Sequence, residues 1–506
     1  MKGGARFTAL LLLAVAARMA SGQEAAPQGA GGQPPVGQEP GAQPAPGQQP
    51  GAPDTVPGGG PVVKPNYITP FGSLGAVYSD NLEHTTSNPT SGTALDALAG
   101  VNVRHSGNIS LNADISALYR EYVGVNLPGQ LLPSVNATAT AVAIPERLFF
   151  TAQDTLGQIS TQAFDALSDS TRQNSNFFTF GPEFLLPLGD RNVLRTDLEY
   201  GRSTFQNSNI GNSRYSGDIG LGRMVGESST LSANYRYEQI DYVYSDLYPR
   251  VTDEVAYLRY SVEGSRTYLA AEAGRDDVKV EAENENRTAP HILLALQRRL
   301  TPLMTVTAEY NHGTSDASET LRADSQNGFN TGNTLDVQAV AQPFTVDRAY
   351  VMLLRTGPFG TVAVQATTER DKYEQDTLLN RTERGADLII DHRLAPLWTL
   401  AGTARWQHGK YDNTGVLDDR LLFSLGLTRQ VSSSFQAALV VEHNRGTGLD
   451  STTGTYTENR VTLLLHYSPQ RLASQVFDPV NQFRYYQRPD HQTSSQDLNP
   501  FSTPGP

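Results

Sequence analysis

The sequence predicts an all-β protein: a transmembrane, antiparallel up-and-down β-barrel of about 20 strands, within 18 to 22, behind a disordered N-terminal tether. Three observations carry that prediction. Side chains alternate in polarity with period two, the alternating stretches are long, and the connections between them are short and long in turn.

Composition first removes other classes. The 506 residues include 52 Asp and Glu against 39 Lys and Arg, a net charge of −13, which is too acidic for a nucleic-acid partner. With no cysteine there is no disulfide framework, thiolate metal site or cysteine nucleophile. Hydrophobic residues make up 38%, and the longest nearly unbroken apolar run, residues 7–17, is short of the roughly 20 residues that a membrane helix needs. A polytopic helical membrane protein is therefore excluded. What remains is a large soluble β protein or a membrane protein whose apolar surface is diluted by alternation.

Residues 1–22 have a basic start at Lys2 and Arg6, the apolar run, and small residues at Ala20, Ser21 and Gly22, the pattern of a secretory signal peptide. Residues 23–65 hold 11 Pro and 10 Gly in 43 positions and almost no large apolar side chain, so they read as a disordered periplasmic tether. Residues 469–506 form a polar, proline-bearing C-terminal tail that reads as disordered, although Phe477, Phe483, Tyr485 and Tyr486 offer docking groups.

Between them, residues 66–468 alternate. Ile109, Leu111, Ala113, Ile115, Ala117 and Tyr119 interleave with Ser110, Asn112, Asp114 and Ser116, and Leu231, Ala233, Tyr235 and Tyr237 with Ser232, Asn234, Arg236 and Glu238. The same holds for Met304, Val306, Ala308 and Tyr310, and for Phe435, Ala437, Leu439 and Val441. Spacing of two puts each set on one face of a strand. Stretches of about 9 to 14 residues exceed the globular mode of ~5 to 6 and suit a tilted strand crossing a bilayer. Short connections are expected at 105–108, 144–147, 187–191, 225–229, 263–266, 299–303, 355–360, 394–397 and 430–434. Long polar ones are expected at 79–93, 120–133, 156–173, 206–214, 242–252, 281–288, 313–344, 373–386, 411–418 and 444–457. A soluble sandwich has no reason to sort its loops this way, whereas an outer-membrane barrel puts short turns on the periplasmic side and long loops outside.

Trp398 and Trp406 sit eight residues apart on one face. At ~3.3 Å per residue and ~40° tilt they are about 20 Å apart along the membrane normal, near the ~25 Å between aromatic girdles. Tyr119, Tyr200, Tyr310 and Tyr467 close apolar faces at strand ends and are expected in the same girdles. The other face would line a lumen with Asp114, Arg195, Asp197, Glu199, Asn234, Arg236, Glu238, Thr307, Glu309, Asn311, Arg405, Gln407 and Glu442. Mixed arginine and carboxylate braces such a wall with ion pairs and lines a hydrated passage with donors and acceptors. Twenty strands ~4.8 Å apart and tilted ~40° give a backbone diameter of about 40 Å, too wide for side chains alone to fill. The 313–344 connection is the candidate for a segment that folds inward and narrows the pore.

Catalytic patterns such as GxSxG, HExxH or a phosphate-binding loop are absent from the sequence, and no catalytic residue, metal or cofactor is assigned. The one conceivable catalytic grouping is His312 with Ser315 and Asp316.

The opening of the barrel, Ile68-Thr69-Pro70-Phe71-Gly72 followed by Val77-Tyr78-Ser79-Asp80-Asn81, resembles the start of the β-barrel porin type 2 family. These are outer-membrane barrels of Gram-negative bacteria that often accompany exopolysaccharide or exosortase loci. The likeness runs loosely over residues 66–468, through hairpin residues such as Tyr235-Arg236-Tyr237. The tether and the chain beyond Tyr467 depart from that pattern. The resemblance implies a conduit for polysaccharide leaving the periplasm.

The function expected is thus an outer-membrane channel. Its partners would be outer-membrane lipid, a polysaccharide or small hydrophilic solute, and periplasmic or inner-membrane export proteins. Two rivals stay open: an outer-membrane hydrolase or deacylase acting on lipid or polymer, and a structural or adhesive barrel with a plugged lumen.

Overall fold

The computed structural model describes residues 67–160, 172–206, 209–244, 248–281, 285–315, 343–373, 377–415, 417–447 and 455–469. The expected signal peptide, the tether, most of the 313–344 connection including Asp316, and the tail beyond 469 lie outside the described residues.

The described chain forms β1 (Tyr67–Ser79), β2 (Gly92–His105), β3 (Ile109–Val123), β4 (Gln130–Ile144), β5 (Leu148–Ser160), β6 (Arg172–Pro187), β7 (Asn192–Phe205), β8 (Asn212–Gly226), β9 (Ser229–Tyr242) and β10 (Val251–Glu263). It continues with β11 (Thr267–Val280), β12 (Glu285–Thr301), β13 (Met304–Ser315), β14 (Phe344–Gly357), β15 (Gly360–Tyr373), β16 (Arg381–Ala395), β17 (Trp398–Tyr411), β18 (Leu417–Gln430), β19 (Phe435–Thr447) and β20 (Thr455–Tyr467). Each strand pairs antiparallel with its sequence neighbours, and β1 pairs with β20, so a single 20-stranded sheet closes on itself. Closure leaves no open sheet edge.

The nine short turns fall where the sequence places them. Their geometry is local chemistry: Gly189 takes φ 80° in the turn between β6 and β7, a conformation that a Cβ would strain. Register shifts at Val142/Ile144, Arg299/Thr301 and Arg393/Ala395 each adjoin a short turn, where one extra residue tightens the twist. Between β6 and β7 the pairing passes from Phe180↔Tyr200 to Glu183↔Asp197. Pro182 has no N–H for the ladder, and a Cβ on Gly181 would come within 1.8 Å of the Leu198 carbonyl oxygen.

Cross-strand partners share a face, so the registers carry a face assignment around the whole wall. One face holds Leu74, Leu258, Val351, Phe423, Leu425, Leu463 and Leu465, all exposed. The other holds Thr69, Ala94, Val255, Ala270, Thr307 and Asp371, all inaccessible or nearly so. On the concave side of a closed sheet side chains converge and shield one another, so the crowded face is the inner one. The outer face is not uniformly apolar or exposed: Arg202, Asn176 and His312 also point outward, and Val103, Leu111, Ala113 and Ala137 form a buried outward patch. Asp154 on β5, hemmed by its cross-strand neighbours Ala137 and Phe178, is buried and accepts a 2.7 Å hydrogen bond from Asn176 Nδ2.

The strands are longer than their alternation suggested. They run from 12 residues in β13 to 17 in β12, and the connections expected at 120–133 and 281–288 shrink to 124–129 and 281–284. The reason lies in the end of each strand next to the long connections, where polarity inverts. Gln239 and Asp241 point outward while Ile240 and Tyr242 point inward, and Asp277 and Lys279 point outward while Val278 and Val280 point inward. The ladder continues through these residues although the apolar outer face has ended.

Candidate functional site

The lumen wall carries the chemistry. Asp114, Arg195, Asp197, Glu199, Asn234, Arg236, Glu238, Thr307, Glu309, Asn311, Arg405, Gln407 and Glu442 all occupy inward register positions. Few of the charges stand alone. Arg120 grips Asp96 with two hydrogen bonds of 2.8 and 2.9 Å, and Arg104 reaches Asp114 at 2.9 Å. Farther round, Arg195 bonds Glu183 at 2.8 Å and Asp197 at 3.4 Å, while Arg214 bonds Glu238 at 2.9 Å and lies over the Phe177 ring. Glu272 accepts from Arg259 on one oxygen and contacts His291 Nε2 with the other, both at 2.9 Å. Arg348 pairs with Glu369, Arg381 with Asp371 at 2.8 Å, Arg405 with Asp387 at 2.7 Å, and Arg420 with Asp418 at 2.7 Å. Arg460 holds Glu458 at 2.9 Å and approaches Glu442 at 3.9 Å.

These pairs run along the wall between adjacent strands or within one strand, so they brace it and present fixed dipoles to the lumen. Two properties break the uniformity. Between β6 and β11, Glu183, Asp197, Glu199, Asp218, Glu238, Asp253, Glu272 and Asp276 share only Arg195, Arg214, Arg236 and Arg259, which makes an acidic crescent. On β4 and β5 the inward positions from Ser134 to Thr140 and from Thr151 to Thr155 are uncharged hydroxyls and amides, among them Asn136, Thr138 and Gln153.

The expectation of a hydrophilic wall throughout needs correction. Phe177, Phe205, Ile210, Ile240, Tyr242, Val251 and Val278 form a buried apolar cluster on the inner face next to the long connections. Val77, Leu82, Ala94 and Tyr122 form a second, and Phe344, Val346, Tyr373 and Leu379 a third. Two smaller inner clusters, Met352 with Leu354, Ala363 and Ile389, and Phe149 with Leu185 and Val193, lie nearer the short turns. Leu82, Ile210 and Leu379 come from connections, so these segments fold in and seat on the wall. The signal in the sequence was the phase slip itself, as between Tyr237 and Ile240, which resembles the start of a loop.

The residues that carried the family resemblance act at the barrel's closure. Ser79 Oγ donates to Glu458 at 2.7 Å, and Asp80 accepts from the backbone N–H and the Nδ2 of Asn459, each at 2.7 Å. Asn81 Nδ2 donates to the carbonyls of Thr85 and Thr457, and His84 contacts Glu458 at 2.9 Å while stacking on Tyr456. This clasp locks β1 to β20.

The aromatic residues expected in girdles all face outward. Trp398 and Tyr467 lie by the short turns, and Trp406, Tyr119, Tyr200 and Tyr310 nearer the long connections. Tyr215 and Phe435 extend these sets, with Tyr215 5.4 Å from Tyr200 and Phe435 5.1 Å from Tyr467. The catalytic grouping is not assembled. His312 faces outward and bonds Asp347, which also accepts from Tyr310, while Ser315 is on the inner face. Among the described residues no cluster of metal-ligating side chains occurs.

No family model matches the sequence, and no curated protein matches it. Solved structures overlap loosely. The FrpB iron transporter from Neisseria meningitidis aligns with TM-score 0.43 and 9% identity over 79% of this chain and 82% of that one. The siderophore receptor PirA from Pseudomonas aeruginosa aligns with TM-score 0.40 and 10% identity over 80% and 81%. The copper transporter OprC gives TM-score 0.40 and 10% identity over 80% of each chain. Superpositions this loose do not bear on cargo.

Proposed function

We propose that this chain is an outer-membrane channel for hydrophilic solute, with exported polysaccharide as the first candidate cargo. The supporting observation is that every strand has two unlike faces within one closed sheet. An exposed apolar band, bounded by Trp398 and Trp406, is the surface that hydrocarbon covers, and such a band on a water-soluble protein would be an aggregation liability. The inner face carries paired ions, hydroxyls and amides that replace water around a passing solute. A neutral, hydroxyl-rich polymer suits such a wall because it exchanges hydrogen bonds with the dipoles without requiring a counter-charge. The polysaccharide cargo rests on the likeness of residues 68–81 to its family.

The acidic crescent adds a prediction. Reconstituted in a planar bilayer, the full chain is expected to pass a steady ionic current with a modest cation preference, and Asp197→Asn with Asp218→Asn is expected to move the reversal potential toward zero. A sealed barrel that carries no current, together with unchanged polymer secretion in a deletion strain, would reject the channel.

A further inference from the structure

On the outer wall above Trp406, β15, β16 and β17 carry a group of cations that nothing in the lumen explains. The register sets them in tiers. Trp406 is opposite Ala386, which is opposite Ala366. Two residues farther along, Arg384 stands between His408 and Thr368. Two beyond that, Arg370 and Lys410 flank Thr382, with Lys372 next on β15. Arg370, Arg384 and Lys410 are exposed.

Two comparisons within the molecule single out this group. On the outer wall of β9–β11, at the corresponding polar ends, each cation has a carboxylate: Lys279 bonds Glu254 at 2.7 Å, Arg275 bonds Asp277 at 2.8 Å, and Arg250 bonds Glu281 at 3.1 Å. In the group on β15–β17 the described outward acids are already engaged, Asp412 by Arg370 at 3.3 Å, Asp419 by His408, and Asp347 by His312. Lys372, Arg384 and Lys410 have no ion pair among the described residues. The chain has only five lysines (2, 64, 279, 372 and 410), and two of the three described ones are here.

Height decides what such a group meets. Two residues of a strand tilted ~40° rise about 5 Å along the membrane normal, so Arg384 lies about 5 Å beyond Trp406, Lys410 about 10 Å and Lys372 a tier farther out, with the long lysine stems leaning back toward the headgroups. The headgroup layer is about 5 to 8 Å deep on each side of the hydrocarbon. Beneath the cations the same strands present Ala366, Val364, Leu388, Trp406 and Ala404, an apolar track for acyl chains. Free phosphate would use the cations alone, whereas an amphipathic molecule uses both levels. We infer that this face of β15–β17 is a docking site for a membrane lipid with a phosphorylated headgroup, with Lys372, Arg384 and Lys410 on the phosphates and acyl chains along the track below. This rests on the membrane placement proposed above.

The test is native mass spectrometry of the full chain in detergent, titrated with a diphosphorylated glycolipid of the lipid A type and with the same lipid after removal of its phosphates. The phosphorylated lipid is expected to stay bound, and Lys372→Ala, Arg384→Ala and Lys410→Ala together are expected to weaken it about a hundredfold. Arg202→Ala, an outward cation away from the group, should leave binding unchanged, and a large excess of inorganic phosphate should not displace the lipid. Unchanged conductance and heat-dependent gel mobility establish that the triple variant is folded. Equal binding by the triple variant, equal binding of the dephosphorylated lipid, or displacement by inorganic phosphate overturns the site. A chain that stays dissolved without detergent removes the membrane placement as well, so the two failures are distinguishable.

Discussion

From the short turns up to the level of Trp406, the outer wall is rich in leucine, valine and phenylalanine, and the inner wall carries most of the ion pairs, interrupted by two small apolar clusters around Met352 and Phe149. Beyond that level the faces exchange: Gln239, Asp277, Lys279 and Arg370 point outward, and Ile240, Val278, Phe177 and Tyr373 pack inside. The same ladder runs through both zones, so the backbone does not set the polarity of a face. The solvent outside does. In the proposed membrane placement, hydrocarbon takes up the apolar side chains of the outer band, so the inner wall there does not have to be apolar and holds most of the ion pairs. Where water surrounds it, the hydrophobic effect again drives apolar groups inward.

Substitutions can break this contrast. The largest effect is expected in the water-exposed zone. Phe177→Ala should lose about 3–5 kcal/mol, because it opens a cavity in the largest inner cluster and removes the ring beneath Arg214. A urea-unfolding series that gives less than ~1 kcal/mol would mean that the cluster is not a packed core. Next comes the apolar band. Leu463→Arg, on an exposed outward position, should cost about 2–4 kcal/mol in a lipid vesicle, whereas Gln239→Arg, outward but beyond the band, should stay within about ±0.5 kcal/mol. Equal costs would erase the proposed membrane boundary. The smallest is Lys279→Ala, which breaks an exposed 2.7 Å pair and should cost no more than about 1 kcal/mol, with the remainder screened by salt.

The contrast also explains what the sequence revealed. Period two, turn positions and strand number were legible because alternation at Ile109 to Tyr119 or Leu231 to Tyr237 reports a two-faced strand whatever lies on either side. The inward placement of Arg195, Asp197, Glu309 and Arg405 followed from the same phase. The inner clusters were not legible, because a slip such as that from Tyr237 to Ile240 looks identical whether a strand ends or its surroundings change. Pairing of Arg120 with Asp96, or Arg381 with Asp371, depends on cross-strand register, which no single strand contains. The role of Ser79 and Asp80 was hidden for a related reason, since Glu458 and Asn459 lie at the far end of the chain.

That last contact has a consequence for biogenesis. β1 matches β20 over eight residue pairs, against thirteen with β2. The first and last strands meet only after the intervening chain is synthesised, so their joint has the longest loop to close and the shortest ladder to reward closing it. A slip of one residue there would turn Arg460 to the lipid and Val461 to the water. Asp80 and Asn459, fitting only in one alignment, act as the proofreading tooth of that final zip.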